Sequence, residues 1–211
     1  MLAEQIAEGV RSVEGAEVHL LQVGDDPVEA LQSVEQAGDM TMRRAEVIGD
    51  LGAADAVIVG APAYFGGMAS PMKRFFEDCA TASNAIVKDR SRPWRHYLFR
   101  DKVGAAFTSS ATPHGGNEQA LHSILTMMMH LGMIIVTPGQ EKPILENDAA
   151  PYGATTITGS DGNREPTPAE QEAAWVLGKR AAVRAMWLTT GRTEWEKRHG
   201  AIWTQSNAYP D

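Results

Sequence analysis

Cysteine, membrane-length apolar runs and excess positive charge are all scarce in this chain. One cysteine among 211 residues cannot form an internal disulfide, which disfavours a disulfide-stapled secreted domain. No apolar run approaches the ~20 residues that a membrane helix needs. The net charge of −8 disfavours nucleic acid and anionic membrane surfaces as partners. Because the N-terminus also has no signal-peptide core, we expect a cytoplasmic protein without a membrane span.

Four short runs rich in valine and isoleucine are the main signal for strands. They are apolar nearly throughout, as expected of parallel strands that are covered on both faces. The runs occupy residues 16–23, 55–62, 102–109 and 132–139. Helical patterns lie between them, and this alternation predicts a doubly wound α/β sheet with helices on both faces.

Four helices are predicted from apolar residues at helical spacing and from capping signals. The first covers residues 2–14, the second begins at Ser70-Pro71, the third follows Gly115-Gly116, and the fourth runs from a capping box at Thr167 to about residue 190. Their predicted inward-facing residues are Met72, Phe75, Phe76 and Cys79, then Leu121, Ile124, Leu125 and Met128, and finally Val176, Leu177, Ala181, Ala185 and Leu188.

Three segments do not fit the plain alternation. Residues 83–101 are basic and aromatic and read as a long loop. Residues 141–166 are rich in Gly, Thr and Pro and are too long for an ordinary connection, which indicates a function or an interface. Residues 191–211 are expected to form a polar C-terminal tail outside a domain that covers residues 1–190.

Two chemically distinctive loops follow the second and third predicted strands. Ligands in open α/β sheets bind beyond the carboxyl ends of the strands, where both loops lie. The first loop, 61–67, carries Tyr64 and Phe65 between small residues, and the second, 108–116, carries four hydroxyl side chains and two glycines. A third loop turns at Pro138-Gly139. An aromatic loop beside a hydroxyl loop would grip a planar cofactor with a polar edge, such as flavin.

Other interpretations of the same loops stay open. Tyr64 and Phe65 could plug the top of the sheet, and the hydroxyl loop could be a solvated helix cap. Several further residues are candidates for other roles. His114, Glu118 and His122 have helical metal-ligand spacing without a fourth ligand, no serine lies in a G-x-S-x-G elbow, Cys79 falls on an apolar stripe, and His130 is exposed, at an interface or in the site.

Three stretches carry a family resemblance: GAPAYFGGMASPMKRFFED, KVGAAFTSSATPHGGNEQALHSILTMMMHLGMIIV and PYGATTITGSDG. In this order and spacing they resemble the WrbA-like NAD(P)H:quinone oxidoreductases, over residues 1–191. The resemblance implies a flavodoxin-like fold, FMN as cofactor, NAD(P)H as co-substrate, a quinone substrate and a homo-oligomer, either a dimer or the tetramer common in that family.

The resemblance also implies a set of cofactor-binding residues, without a catalytic side chain or a metal. The set is Ala63, Tyr64 and Phe65 against the flavin ring, Ser109, Ser110, Ala111, Thr112, Pro113 and His114 at its polar edge, and His130 on the substrate side. The family usually has Thr-Arg where this chain has Ala63-Tyr64. The family's aromatic residue after the second helix is not matched in register, and Trp94 or Tyr97 is the expected substitute.

The largest departure from the family is at the N-terminus. The sequence opens inside the first helix, so the first strand and the phosphate-binding loop of a flavodoxin-like domain are not present in it. In the strand order 2-1-3-4-5 this first strand is interior, and its loss leaves two neighbouring edges unpaired. We expect that roughly 15–17 native residues precede the given sequence, a length set by one strand and one loop.

The resemblance predicts an FMN-dependent NAD(P)H:quinone oxidoreductase. Hydride would pass from the nicotinamide to the flavin, and two electrons would then pass to a quinone. Two alternatives belong to other classes: a flavodoxin-type electron carrier, and a non-catalytic relative that has lost FMN binding.

Overall fold

The structure is a computed structural model, and it describes residues 1–23, 31–33, 41–42, 51–77, 99–140, 144 and 149–200. The strands are β1 (Leu21–Val23), β2 (Leu31–Ser33), β3 (Thr41–Met42), β4 (Ala56–Tyr64), β5 (Gly67–Met68), β6 (Val103–Ser110), β7 (Ile134–Ile135) and β8 (Ala154–Ile157). The helices are α1 (Leu2–Arg11), α2 (Asn117–His130) and α3 (Pro168–His199). Residues 70–77 are also helical.

The main sheet is built around β4 and β6, which are two of the four predicted strands. These strands are parallel, from Ala56 opposite Val103 to Pro62 opposite Ser109. β7 and β8 both pair in parallel with β6, whereas β5 folds back antiparallel on β4. The predicted parallel α/β sheet is therefore confirmed.

Helices cover both faces of this sheet and form two cores. On one face, α2 and the helical segment 70–77 contribute Phe76, Leu121, Ile124, Leu125 and Met128, which are all buried. On the other face, α1 and α3 contribute buried residues that include Leu2, Ile6, Leu177 and Ala181. The predicted inward stripe of α2 is confirmed in full, but Leu188 on α3 is 37% exposed.

The edge of β6 that faces away from β4 is shared by two short strands. The run 132–139 gives only β7, because the chain leaves the sheet after Val136 donates to the carbonyl of Gly104. Buried Pro138 has no backbone N–H, and Gly139 turns with φ +70°. β8 then pairs with the second half of β6, so the segment 141–166, for which no strand was predicted, contains one.

The run 16–23 does not join the main sheet, contrary to the prediction of a parallel strand. Only Leu21–Val23 is extended into a ladder, and it pairs antiparallel with β2, which pairs with β3. Residues 16–23 and β4 instead line one cavity. A doubly wound sheet would link them through an interior strand.

The first and the last helix end at residues other than those predicted. The first helix ends at Arg11, three residues early, and the last continues past Gly191 to His199. The segment 83–98, with Trp94 and Tyr97, and the residues Cys79 and 201–211 lie outside the described part of the chain. In the described ranges, no helix combines the length and apolarity needed to cross a membrane.

Candidate functional site

The aromatic loop is a tight hairpin that turns its side chains outward. Tyr64 and Gly67 pair across it, and the two residues between them, Phe65 and Gly66, have φ of +50° and +76°. Two positive φ values are typical of the two-residue turns that match strand twist. Tyr64 is 63% exposed and Phe65 is fully exposed, so they do not plug the top of the sheet.

The hydroxyl loop leaves the adjacent strand β6, and its buried hydroxyls hold it in place. Thr108 Oγ1 donates to the carbonyl of Ala61 at 2.7 Å, and Ser110 Oγ donates to the carbonyl of Thr112 at 2.8 Å. Ser109 is half-buried. The exposed residues of the loop are Ala111, Thr112, Pro113 and His114. Internal hydrogen bonds therefore hold the hydroxyl loop, and the residues predicted to meet the polar edge of the flavin face the solvent.

The two loops are locked together by glycines. A Cβ added to Gly116 would lie 2.8 Å from Gly66 Cα, so the two backbones are in contact. Gly116 also has φ +87°, which disfavours any other residue. A second link joins the hairpin to α2, since the backbone N–H of Met68 donates to Ser123 Oγ at 3.0 Å. The aromatic and hydroxyl surfaces are therefore held at a fixed relative position.

Asn117 is a polar residue of this region that sequence reasoning missed. It is buried at the first position of α2, where Gly116 caps the helix without a side chain. Its amide donates to the carbonyl of Thr156 at 3.5 Å, and its Oδ1 has no hydrogen-bond partner among the described residues. Its position directly after Gly115-Gly116 was the only available signal. Unpaired backbone N–H groups at this helix start would favour an anionic or carbonyl group.

A hydrogen-bond network around Glu170 joins the end of β8 to the start of α3. Its carboxylate accepts from Arg164 at 2.6 Å, from the backbone N–H of Thr167 at 2.7 Å, from Thr156 Oγ1 at 3.0 Å and from the N–H of Ile157 at 3.2 Å. Burial raises the pKa of Glu170, but these hydrogen bonds outweigh burial and hold it below its ordinary value. The capping box predicted at Thr167 is confirmed, and it also anchors the end of β8.

This network reaches the hydroxyl loop through the segment after β8. The backbone N–H of Thr158 donates to the carbonyl of Ser110 at 2.8 Å, and the N–H of Arg164 donates to the carbonyl of Thr158 at 2.8 Å. The Arg164 side chain also donates to the carbonyl of Ile157. Sequence reasoning identified the segment but not this pairing.

His130 lies away from the other predicted site residues. It is the last residue of α2, whereas the hydroxyl loop precedes the first, and fourteen residues of helix span about 20 Å. His130 is exposed. One protomer therefore does not bring His130 to the loops 61–67 and 108–116.

The helical spacing of His114, Glu118 and His122 does not produce a metal site. Across the residues that the structure describes, no group of three or more His, Cys, Asp or Glu side chains could hold a metal ion. His122 instead contacts the ring of Tyr152, with 4.7 Å between the ring centroids.

Comparison with solved structures shows the fold class of the chain. The chain superimposes on a flavodoxin, WrbA-like protein from Agrobacterium tumefaciens with a TM-score of 0.58 and 24% identity, over 88% of each chain. It also resembles the flavodiiron protein of Giardia intestinalis with a TM-score of 0.55 and 14% identity, over 90% of this chain and 34% of that one. The fold is therefore flavodoxin-like, as predicted.

The family follows from sequence comparisons. The family model described as NADPH-dependent FMN reductase matches residues 1–141. A Rhodopseudomonas palustris protein named NAD(P)H dehydrogenase (quinone) is 38% identical over 195 residues, covering 89% of this chain and 90% of the relative. A Caulobacter vibrioides protein of the same name is 39% identical over 194 residues, with coverages of 89% and 91%. The chain belongs to the NADPH-dependent FMN reductase family, and the resemblance stated from its motifs is confirmed.

Proposed function

We propose that the protein is an FMN-dependent NAD(P)H:quinone oxidoreductase. The observation that carries the proposal is the pair of locked loops, in which backbone contact between Gly66 and Gly116 fixes exposed Tyr64 and Phe65 beside the hydroxyl loop. The predicted function, enzyme class and cofactor are confirmed by the family match and by relatives named NAD(P)H dehydrogenase (quinone). When bound, FMN supplies the chemistry of two-electron transfer between NAD(P)H and a quinone.

The residues of the site fit the ring of that cofactor. Exposed Tyr64 and Phe65 at the hairpin offer an apolar surface for stacking, and this supports the proposal that they lie with Ala63 against the flavin ring. The carbonyls of Ser110 and Thr112 already accept internal hydrogen bonds, and the exposed residues 111–114 are the part of the loop that would meet a polar ring edge. Asn117 adds a buried acceptor without a partner among the described residues. A buried orphan acceptor is stabilised when a ligand donor reaches it.

We assign binding, not acid–base chemistry, to these side chains. The rigid hairpin orients the ring, and the Glu170–Arg164 network keeps the hydroxyl loop at its distance from the hairpin. Preorganised contacts of this kind lower the entropic cost of reaching a reactive geometry.

We further propose that the active form is a homo-oligomer, a dimer or a tetramer, in the cytoplasm. His130 supports the assembly proposal, because it completes a flavin pocket only if another protomer brings it to the loops. The acidic composition and the single cysteine support the location. Substrates are small molecules, a nicotinamide and a quinone.

The first experiment is titration of the purified protein with FMN, read by quenching of flavin fluorescence, followed by NADH and NADPH oxidation with benzoquinone. We expect FMN binding and quinone-dependent oxidation. An electron carrier would bind FMN without oxidising the nicotinamide. A relative that has lost the cofactor would bind no FMN, and either result would contradict the proposal.

A matched pair of variants ties the result to the locked loops. Gly116→Ala should weaken FMN binding because its Cβ would press on Gly66. Gly162→Ala is the control, since Gly162 also has a positive φ, +74°, but an added Cβ would have no neighbour within 4 Å. If the two substitutions change FMN affinity equally, the contact between the two loops does not support the proposed FMN site.

A further inference from the structure

Tyr64 carries a hydroxyl group that the fold does not use. Its side chain is 63% exposed, and among the described residues its hydroxyl has no hydrogen-bond partner. The neighbouring hydroxyls behave differently, because Thr108 donates to the carbonyl of Ala61 and Ser110 donates to the carbonyl of Thr112. A phenol donates one hydrogen bond and is neutral at ordinary pH. The hydroxyl of Tyr64 is therefore available to a ligand as an uncharged donor.

The hairpin places this donor beside the start of α2. Tyr64 pairs with Gly67, so its backbone is fixed by the ladder between β4 and β5. A Cβ added to Gly66 would lie 3.8 Å from Cγ of Gln119, and the backbone of Gly66 also contacts Gly116. The hairpin and the first turn of α2 are therefore parts of one surface.

One fixed charge lies on the segments that form this surface. Within residues 61–67, 108–116 and the first turn of α2, Glu118 is the one Asp, Glu, Lys or Arg residue. Its side chain is exposed. Arg164, in the network that reaches the hydroxyl loop, already forms an ion pair with a carboxylate. The described surface around Tyr64 is thus neutral apart from one negative charge.

Glu118 distinguishes between the two kinds of group that the start of α2 could bind. The unpaired N–H groups of a helix start carry a partial positive charge, which suits an anion or a carbonyl oxygen. Glu118 lies in this first turn and supplies a negative charge to it. A second anion would be repelled by the carboxylate, whereas a carbonyl oxygen would not. The surface therefore favours an uncharged acceptor of hydrogen bonds.

We propose that Tyr64 is a specificity-determining residue whose hydroxyl donates to a carbonyl of the quinone, and that the site takes uncharged quinones in preference to anionic ones. A quinone presents carbonyl oxygens on a planar ring, which suits a phenol donor beside the fully exposed ring of Phe65. The hydroxyl keeps its proton, so its role is binding. This inference rests on the proposed function and names the class of quinone that the same site takes.

The first test compares two quinones that share a ring system, 1,4-naphthoquinone and the anionic 1,4-naphthoquinone-2-sulfonate. Both are assayed with NADH and the FMN-loaded protein at pH 8, where ordinary histidine side chains carry no charge. We expect the KM for the sulfonate to be about two- to fivefold higher, the size of the effect of an exposed charge pair. An equal or lower KM for the sulfonate would overturn this inference alone. A protein that reduces neither quinone would overturn the proposed function as well.

Tyr64→Phe isolates the hydroxyl, because the variant keeps the aromatic ring. We expect the KM for 1,4-naphthoquinone to rise roughly two- to tenfold, the effect of one hydrogen bond, while kcat and FMN affinity stay close to their native values. A purely structural role of the hydroxyl would lower FMN affinity as well, and that result would overturn the inference. An unchanged KM would also overturn it.

Two pairs of variants test the role of charge. Tyr64→Arg and Glu118→Gln should each lower the KM for the sulfonate about two- to fivefold relative to that for 1,4-naphthoquinone. Trp187→Arg and Glu194→Gln are the matched controls, since both residues are exposed and lie about 26 Å and 36 Å along α3 from Glu170. Equal shifts in variants and controls would trace the preference to the net charge of the protein and would overturn the assignment to Tyr64.

Discussion

Tyr64 and Phe65 owe their exposure to backbone conformation. The positive φ values at Phe65 and Gly66 close a two-residue hairpin, and the turn directs both rings away from the sheet. A non-glycine residue at positive φ is unusual and carries a conformational cost. The contact of Gly66 with Gly116 helps to maintain this conformation. The aromatic surface is therefore preformed in the absence of a ligand.

Replacement of Tyr64 by alanine should lower FMN affinity roughly two- to tenfold, since an aromatic pair contributes about 0.5–1.5 kcal/mol. Fluorescence titration of flavin measures the effect. Trp187→Ala is the control, because Trp187 is equally exposed, at 64%, but lies far along α3 from its N-terminus. The same loss in both variants, or none in Tyr64→Ala, would contradict a stacking role for Tyr64.

Glu170 should make the protein sensitive to acid. Its pKa is lowered in the folded state, so the carboxylate stabilises the fold above its ordinary pKa of 4.5, and this stabilisation is lost as the pH falls through the folded value. Urea unfolding between pH 7 and pH 3.5 should show a smaller fall in stability for Glu170→Gln than for the native protein. Glu165→Gln, an exposed acid of the same segment, should behave like the native protein. Identical pH profiles for all three would show that the network adds no acid sensitivity.

At the scale of secondary-structure elements, α1 and α3 pack closely because each has a glycine where it meets the backbone of the other. A Cβ on Gly9 would overlap the carbonyl of Trp175, and a Cβ on Gly178 would overlap the carbonyl of Ile6. The helix backbones are thus nearly in contact. This close approach lets α1 cover the main sheet together with the long α3.

The same substitution at two places on α3 should have opposite effects. Gly178→Ala should destabilise the protein by about 1–3 kcal/mol because it forces the helices apart. Gly191→Ala should add helix content and up to about 1 kcal/mol, because Gly191 is inside the helix with open space around it. Circular dichroism and urea unfolding measure both changes. A neutral Gly191→Ala would instead fit the tail predicted to start at residue 191.

The elements that were predictable are those with strong local signals. β4, β6 and α2 carry unbroken apolar runs or stripes, and α3 begins at a clear capping box. β8 was not predictable, because the segment ATTI is short and lies in a region rich in Gly and Thr. The end of α3 was also missed, since its last turns are polar and exposed and bury no apolar stripe that would mark a helix.

The candidate site, like the fold, was predictable only in part. Its two loops follow directly from the carboxyl ends of predicted strands. Asn117 and the pairing of Glu170 with Arg164 were missed because their importance depends on burial and on partners that sequence spacing does not show. His130 lies fourteen residues along the helix predicted after Gly115-Gly116, so its separation from the loops follows from helix length, and only the family resemblance placed it in the site.

At the scale of the whole molecule, activity should depend on assembly. If His130 reaches the flavin pocket of a neighbouring protomer, dilution below the dissociation concentration should lower the specific rate of quinone reduction. His130→Ala should raise the KM for quinone in the assembled enzyme and have little effect on the dissociated one. Analytical ultracentrifugation at the assay concentrations gives the assembly state. A specific rate that stays constant while the oligomer dissociates would place the complete site within one protomer.

The sharing of one edge of β6 between β7 and β8 has a consequence for the length of the chain that joins them. β7 and β8 hold separate halves of β6, and each keeps its register without the other. Because the two strands pair with different halves of β6, a change in the length of the chain between them would leave both ladders in place. The same break is a natural insertion point for a reporter peptide, because the added length would loop out between two positions that β6 already fixes.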